Sequence, residues 1–205
     1  MPVSYPAQVP ASGITNLSWT NATASLISRS PFTFQGQSQN YPGAIRYAQI
    51  SIENLTREDA EDWVGFLDSL QGTKGTFLFG DPMAKTPMGV GGGNPVVNGA
   101  NQTGDSLLLS GAPSNTTNWL KRGDWFQIGV GLNARLHKIV SNVNSASGGT
   151  PTIRFWPSLR YSPANGSAIV LNNPKGLFRR SSGTFNYSEE NGCKYSLSFD
   201  CEEVI

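Results

Sequence analysis

Residues 57–70 of this 205-residue chain carry its best helical pattern, and that pattern limits what the rest of the chain can build. Ala60, Trp63, Val64, Leu67 and Leu70 recur at the i, i+3, i+4, i+7 spacing of one apolar stripe. Thr56 suits the N-cap, and Asp59 stands where a capping-box acid belongs. Glu58, Asp59 and Glu61 load the first turns with negative charge, which the helix dipole favours. Gly72 offers a left-handed C′ residue. A lone helix of this length is marginal in water, so its stripe needs a sheet to lie on.

The composition agrees. Charged residues are 14% of the chain, against about 25% in an average domain. With 23 glycines and 13 prolines, the chain suits short strands joined by turns. In 44–52, AIRYAQISI, residues Ala48, Ile50 and Ile52 share one strand face, with Ile45 and Tyr47 on the other. Further strands are expected at 76–79, 124–129, 136–141, 152–156 and 167–171, separated by Gly and Asn clusters. The chain should be loop-like from 84 to 118. Its end reads as a hairpin: a strand over 177–187, an Asn191-Gly192 turn, then alternation of Cys193, Tyr195, Leu197, Phe199 and Cys201. That half-buried strand can cover the helix stripe. The expected fold class is therefore mainly β, with one discontinuous unit over 1–83 and 173–205 and a small β-barrel or β-sandwich inserted at 84–172. Residues 1–43 are polar and turn-rich, an arm or edge strands.

The chemistry-bearing residues are sparse. The net charge is +1 with a pI of about 7.7, no footprint for nucleic acid or an anionic membrane. No apolar run approaches the roughly 20 residues of a membrane span. The opening MPVSYPAQVPASG lacks the charged and apolar regions of a signal peptide, so synthesis and assembly in a cytoplasm are expected. Asn115-Thr116-Thr117 is then a polar loop despite its sequon form. Lys74-Gly75-Thr76 and the run Gly89–Gly93 invite a phosphate-loop reading, but the order is wrong and no helix follows. Glu58, Asp59, Glu61 and Asp62 sit on helix turns where dipole and solvent favour them, and Glu189, Glu190, Glu202 and Glu203 are expected as solvated charge.

His137, the single histidine, lies in LHKIVS with no nucleophile elbow elsewhere, and reads as a partly exposed strand residue. Cys193 and Cys201 are eight residues apart, about 26 Å along a strand and too far for a disulfide. With one histidine they do not make a zinc site. Trp119, Trp125, Phe126, Phe155, Trp156 and Tyr161 cluster in the inserted unit. Several must fill a small barrel, while Trp125, Trp156 and Tyr161 are the candidates for a glycan-binding platform. Arg179-Arg180 is too short a basic run to argue for nucleic acid.

The segment EDWVGFLDSLQGTKGTFLFGDPMAKTP (61–87) resembles a pattern in the distal tail, or tail hub, proteins of long-tailed bacteriophages. In that pattern a Trp-containing helix runs into a Leu-x-Gly turn and then Gly-Thr-Phe-Leu-x-Gly-Asp-Pro. The resemblance continues through VVNGANQTGDSLLLSG, LKRGDWFQIG, LHKIV, IRFWPSLR and GLFRRSS, so it covers most of residues 44–182. It implies a β-sandwich ring-forming domain carrying one amphipathic helix, with a second β-rich domain inserted, in a non-enzymatic virion protein with no cofactor; copies would form a homo-oligomeric ring, a hexamer, at the distal end of the tail, joining the tail tube to the tip complex. Its partners would be copies of itself, the tail tube protein and tip or hub proteins, with no nucleic acid bound and no membrane insertion. Some related tip proteins hold an iron–sulfur cluster on several C-terminal cysteines, which Cys193 and Cys201 alone do not provide. A host-glycan module using Trp125, Trp156 or Tyr161 is the alternative, and a cell-wall hydrolase finds no constellation to use.

Overall fold

The computed structural model describes residues 4–11, 13–190 and 194–205. The fold is mainly β. In chain order the elements are β1 (Asn16–Arg29), β2 (Gly36–Leu55), α1 (Arg57–Ser69), β3 (Thr76–Phe79), β4 (Val96–Val97), β5 (Gly104–Ser110), β6 (Thr116–Leu120) and β7 (Trp125–Ile128). They continue as β8 (Arg135–Ile139), β9 (Val143–Ser145), β10 (Thr152–Leu159), β11 (Ile169–Val170), β12 (Gly176–Arg180), β13 (Asn186–Glu190) and β14 (Lys194–Glu203).

The first sheet takes strands from both ends of the chain, in the order β1-β2-β14-β12-β3, with β13 also paired to β14. The expected faces appear: Ala48, Ile50 and Ile52 are buried on β2, and Leu197, Phe199 and Cys201 on β14. Helix α1 closes over this face. Its Thr56 hydroxyl accepts from the Asp59 amide at 3.3 Å and donates to the Asp59 carboxylate at 2.7 Å. Trp63, Phe66, Leu67 and Leu70 are buried in the same cluster as Ile50, Ile52, Phe77 and Phe199. The rings of Trp63 and Phe199 lie 6.0 Å apart, and those of Phe66 and Phe77 5.5 Å. Val64 is only half-buried; Phe66 joins the stripe in addition. The left-handed conformation after the helix begins one residue earlier than Gly72, at Gln71 (φ 51°), and Gly72 follows at φ 74°.

The chain leaves this sheet after β3 and returns through β12, and these strands are hydrogen-bonded neighbours with Phe79 opposite Gly176. Gly80 lies against the carbonyl of Pro174, where any Cβ would collide. Between the two points runs a second sheet in the order β11-β7-β8-β10-β5-β4. Backbone bonds from Val97 N–H to Ser167 O (2.9 Å) and from Ile169 N–H to Pro95 O (3.0 Å) join its ends into a nearly closed barrel. Leu107, Leu109, Phe126, Ile139, Ile153 and Phe155 fill it, and the two-stranded β6-β9 pair adds Trp119, Leu120 and Val143 to that core.

Four local expectations need correction. Residues 84–118 hold β4, β5 and the start of β6, because turn-rich sequence hides strands of two to seven residues whose partners are distant. The strand expected over 177–187 is two, β12 and β13, broken by an exposed turn at 181–184. The pairing of β13 with β14 is present, with Glu189 opposite Tyr195; the Asn191-Gly192 turn and Cys193 lie outside the described residues. His137 is buried, not partly exposed, because its ring is stacked on Phe126 (5.4 Å) and meets Phe155 edge-on (4.9 Å). Glu203 is 1% exposed, not solvated, because β14 runs far enough to continue the inward series Leu197, Phe199, Cys201.

Candidate functional site

The most distinctive surface is a hairpin that outgrows its sheet. β14 accompanies β2 only between Tyr47 and Leu55. Beyond that, β1 and β2 continue as a two-stranded ribbon to the pair Arg29–Gly36. Over residues 23–43 every side chain is exposed except that of Ser30, which is half-buried. The ribbon spans roughly 20–25 Å at about 3.3 Å per residue. Its register shifts where Thr23 opposes Ala44 but Ser25 opposes Asn40, which leaves Pro42 and Gly43 in an irregularity on β2. Proline has no amide hydrogen to give the ladder, so it belongs at such a site.

The tip is organised but uncovered. Ser30 N–H donates to Gln35 O (3.0 Å) and Phe34 N–H to Ser30 O (2.9 Å), while Phe34 takes φ 56°. This conformation aims two phenyl rings outward: Phe32 is 91% exposed and Phe34 78%. Leu26 and Ile27 are also exposed, and being consecutive they stand on opposite faces of the ribbon. Arg29 is the single charged residue in 23–43. A two-stranded ribbon is at best marginal on its own in water. A long, weakly charged free edge is a template for pairing with another chain.

The root of this arm is clamped by the barrel. Arg46, fully buried on β2, donates from Nη1 to Leu136 O on β8 (2.9 Å) and from Nε to Asn21 Oδ1 on β1 (3.2 Å). Its guanidinium carbon lies 4.5 Å from the ring centre of Trp125 and 5.0 Å from that of Trp156. Trp156 donates to Thr23 Oγ1 at 3.3 Å. Arg160 bonds the carbonyl of Ala44, and its Nη2 pairs with Glu203 Oε2 at 3.1 Å. Burial lowers the Arg46 pKa to about 10, while the Glu203 carboxylate works the other way. At that value the group is still a cation at neutral pH. Thr23, Ala44 and Arg46 thus tie the base of the arm to the inserted barrel.

The fold does not bring the three candidate sugar-binding aromatics onto one face. Trp125 is 5% exposed and packs between Trp19 and Arg46, so it has no free face. Trp156 is half-buried against the same guanidinium. Tyr161 is 70% exposed and stands apart, beside Ile128, Arg135 and Pro163. Trp119, Phe126 and Phe155 are barrel core. The glycine run meets an anion of its own chain: the buried Asp124 carboxylate accepts from the amides of Met88 (2.7 Å), Gly89 (3.1 Å) and Lys121 (2.7 Å).

His137 Nδ1 lies 2.8 Å from Pro157 O, and burial lowers its pKa to about 3, so the ring is neutral. The four acids at the start of α1 are on the surface, with Asp59 half-buried at the cap. Arg179 pairs with Glu202 at 2.9 Å, and Arg180 is buried over Phe185. Among the described residues no three His, Cys, Asp or Glu side chains are grouped to hold a metal ion. No described helix is long and apolar enough to cross a membrane.

Neither comparison with known proteins gives a match: no family model fits the chain, and no curated protein is similar to it.

Sequence reasoning placed an arm or edge strands somewhere in residues 1–43 but missed its root. Arg46 was the available signal, a cation on the inward parity of AIRYAQISI, between Ala44 and Ala48. A charge at such a position needs partners from outside its own strand.

Proposed function

We propose that this chain is a structural protein of a bacteriophage tail, assembling into a ring at the distal end that joins the tail tube to the tip complex. The observation that carries the reading is the unequal treatment of strand edges. The inserted barrel is nearly closed on itself, and closure removes edges. The discontinuous sheet, by contrast, ends on β1, which is paired on one side only and runs out into the exposed arm. A monomer under selection for solubility blunts such an edge with charge or covers it; here the arm carries Arg29 alone. The likeness of segments between 44 and 182 to distal tail proteins supplies the kind of assembly and the expectation of six copies. In a ring each protomer presents two different patches, one to each neighbour, and the rotation between copies closes the set.

Two measurements test this. Light scattering on the purified chain should give a closed oligomer, six copies being the expected mass. Mass spectrometry of purified phage particles, with immunogold labelling, should place the chain at the distal end of the tail. A chain that stays monomeric at every concentration and is missing from particles would overturn the reading.

A further inference from the structure

The arm of one copy needs a surface to receive it, and one groove matches its chemistry. The groove runs open to solvent between the N-terminal segment and α1, has a volume of about 590 Å3, and its lining includes Ala7, Val9, Pro10, Glu61, Asp62 and Phe66. Its apolar surface, Ala7, Val9 and Pro10, comes from the N-terminal segment, where Ser4 and Gln8 also line the groove, and Ala7 N–H ties that segment to Thr76 O on β3 (2.8 Å). Its acidic wall is the exposed face of α1. Gly65, also on that wall, leaves it open, since a Cβ there would touch nothing within 4 Å. Among the described residues neither Glu61 nor Asp62 forms an ion pair, and neither does Arg29 at the far end of the arm.

We propose that the tip of the β1–β2 arm of one copy seats in this groove on the next copy, with Phe32 and Phe34 against the apolar wall and Arg29 facing Glu61 and Asp62. The proposal rests on the ring reading above and names its contact. The arm does not fill the groove of its own chain, because Phe32 and Phe34 are exposed. Arm and groove are different patches, so the contact is heterologous and repeats head to tail, as ring closure requires. Complementary charges fix the register and speed the encounter more than they add affinity, and added salt should slow assembly.

The test uses the whole chain and light scattering across a concentration series. R29E should weaken assembly at least tenfold, E61R/D62R should do the same, and the triple variant R29E/E61R/D62R should recover most of it. G65L projects into the groove from a position whose Cβ meets nothing within 4 Å, so it should block assembly while circular dichroism shows a fold at least as stable as the parent. If R29E and G65L both assemble like the parent, the docking contact is wrong and the ring reading stands. If the single-side variants fail but the triple does not recover, Arg29 does not face Glu61 and Asp62, which also overturns the proposal. Rings that form normally from arm variants yet do not enter particles would give the arm a different partner and overturn it too. A parent chain that never assembles removes both readings.

Discussion

The guanidinium of Arg46 on β2 donates a 2.9 Å hydrogen bond to the carbonyl of Leu136 on β8, and this bond joins the discontinuous sheet to the barrel inserted within it. The same guanidinium is stacked with Trp125 and Trp156, which makes two aromatic residues of the barrel part of the arm's foundation. Arg46→Ala removes the bond and the stacked cation and leaves a cavity. It should cost about 3–5 kcal/mol, the range for breaking buried charged networks and emptying core sites. Arg46→Lys should recover only part, since an ammonium cannot reproduce the planar fork. Urea unfolding midpoints measure both, and limited proteolysis within 23–43 should quicken in each variant as the root loosens.

His137 predicts a pH dependence with a definite sign. Its folded pKa is lowered to about 3 from an ordinary 6.5. Between those values the unfolded chain binds a proton that the folded chain refuses, so stability falls as pH drops from about 6.5 toward 3. One proton corresponds to a slope of about 1.4 kcal/mol per pH unit. His137→Gln should flatten the stability profile by up to that slope between pH 6 and 4, read as the difference between parent and variant urea titrations. Equal slopes would mean that the ring is not held neutral.

The arm tip should separate folding from assembly. Phe32 and Phe34 touch little of their own chain, so Phe32→Ser with Phe34→Ser should move the unfolding free energy by no more than about 0.5 kcal/mol. The double variant should nevertheless stay monomeric where the parent assembles. Denaturation and light scattering on one preparation give both answers.

Cys201 is fully buried, and burial, aided by Asp200, pushes its thiol well above the ordinary range. Thiolate is the reactive form. In a Cys193→Ser background the native chain should therefore show no reaction with a thiol reagent until it unfolds. Prompt labelling of the native protein would contradict the packing of β14 on β2 and β12.

The parts of the fold that could be read in advance are those set by near neighbours in the chain. Thr56 and Asp59 make their cap within one turn, and the stripe from Ala60 to Leu70 is a matter of helical period. The alternation of Ala48, Ile50 and Ile52, and of Leu197 and Phe199, follows from the pleat of a strand. Residues 76–79 appear as β3 for the same reason, bounded by Gly75 and Gly80. Alternation says which side chains share a face, but it does not say what covers that face. Hence a partly exposed His137 and a solvated Glu203 are what the pattern predicts, although Phe126 and Phe155 enclose one and Arg160 pairs with the other. The three candidate sugar-binding aromatics diverge for the same reason: Trp125 and Trp156 pack against Arg46, while Tyr161 faces outward.

Local order along the chain was enough to specify a mainly β protein with one sheet-backed helix and few groups suited to chemistry. Those features depend on backbone geometry and side-chain period, which act over a few residues. Which strands pair was settled by contacts between residues as distant as Arg46 and Leu136. So were the near closure of the barrel and the projection of the β1–β2 ribbon beyond its support. The arm exists because β2 is longer than the partner strand that could shelter it, and a strand's partner is a property of the folded whole.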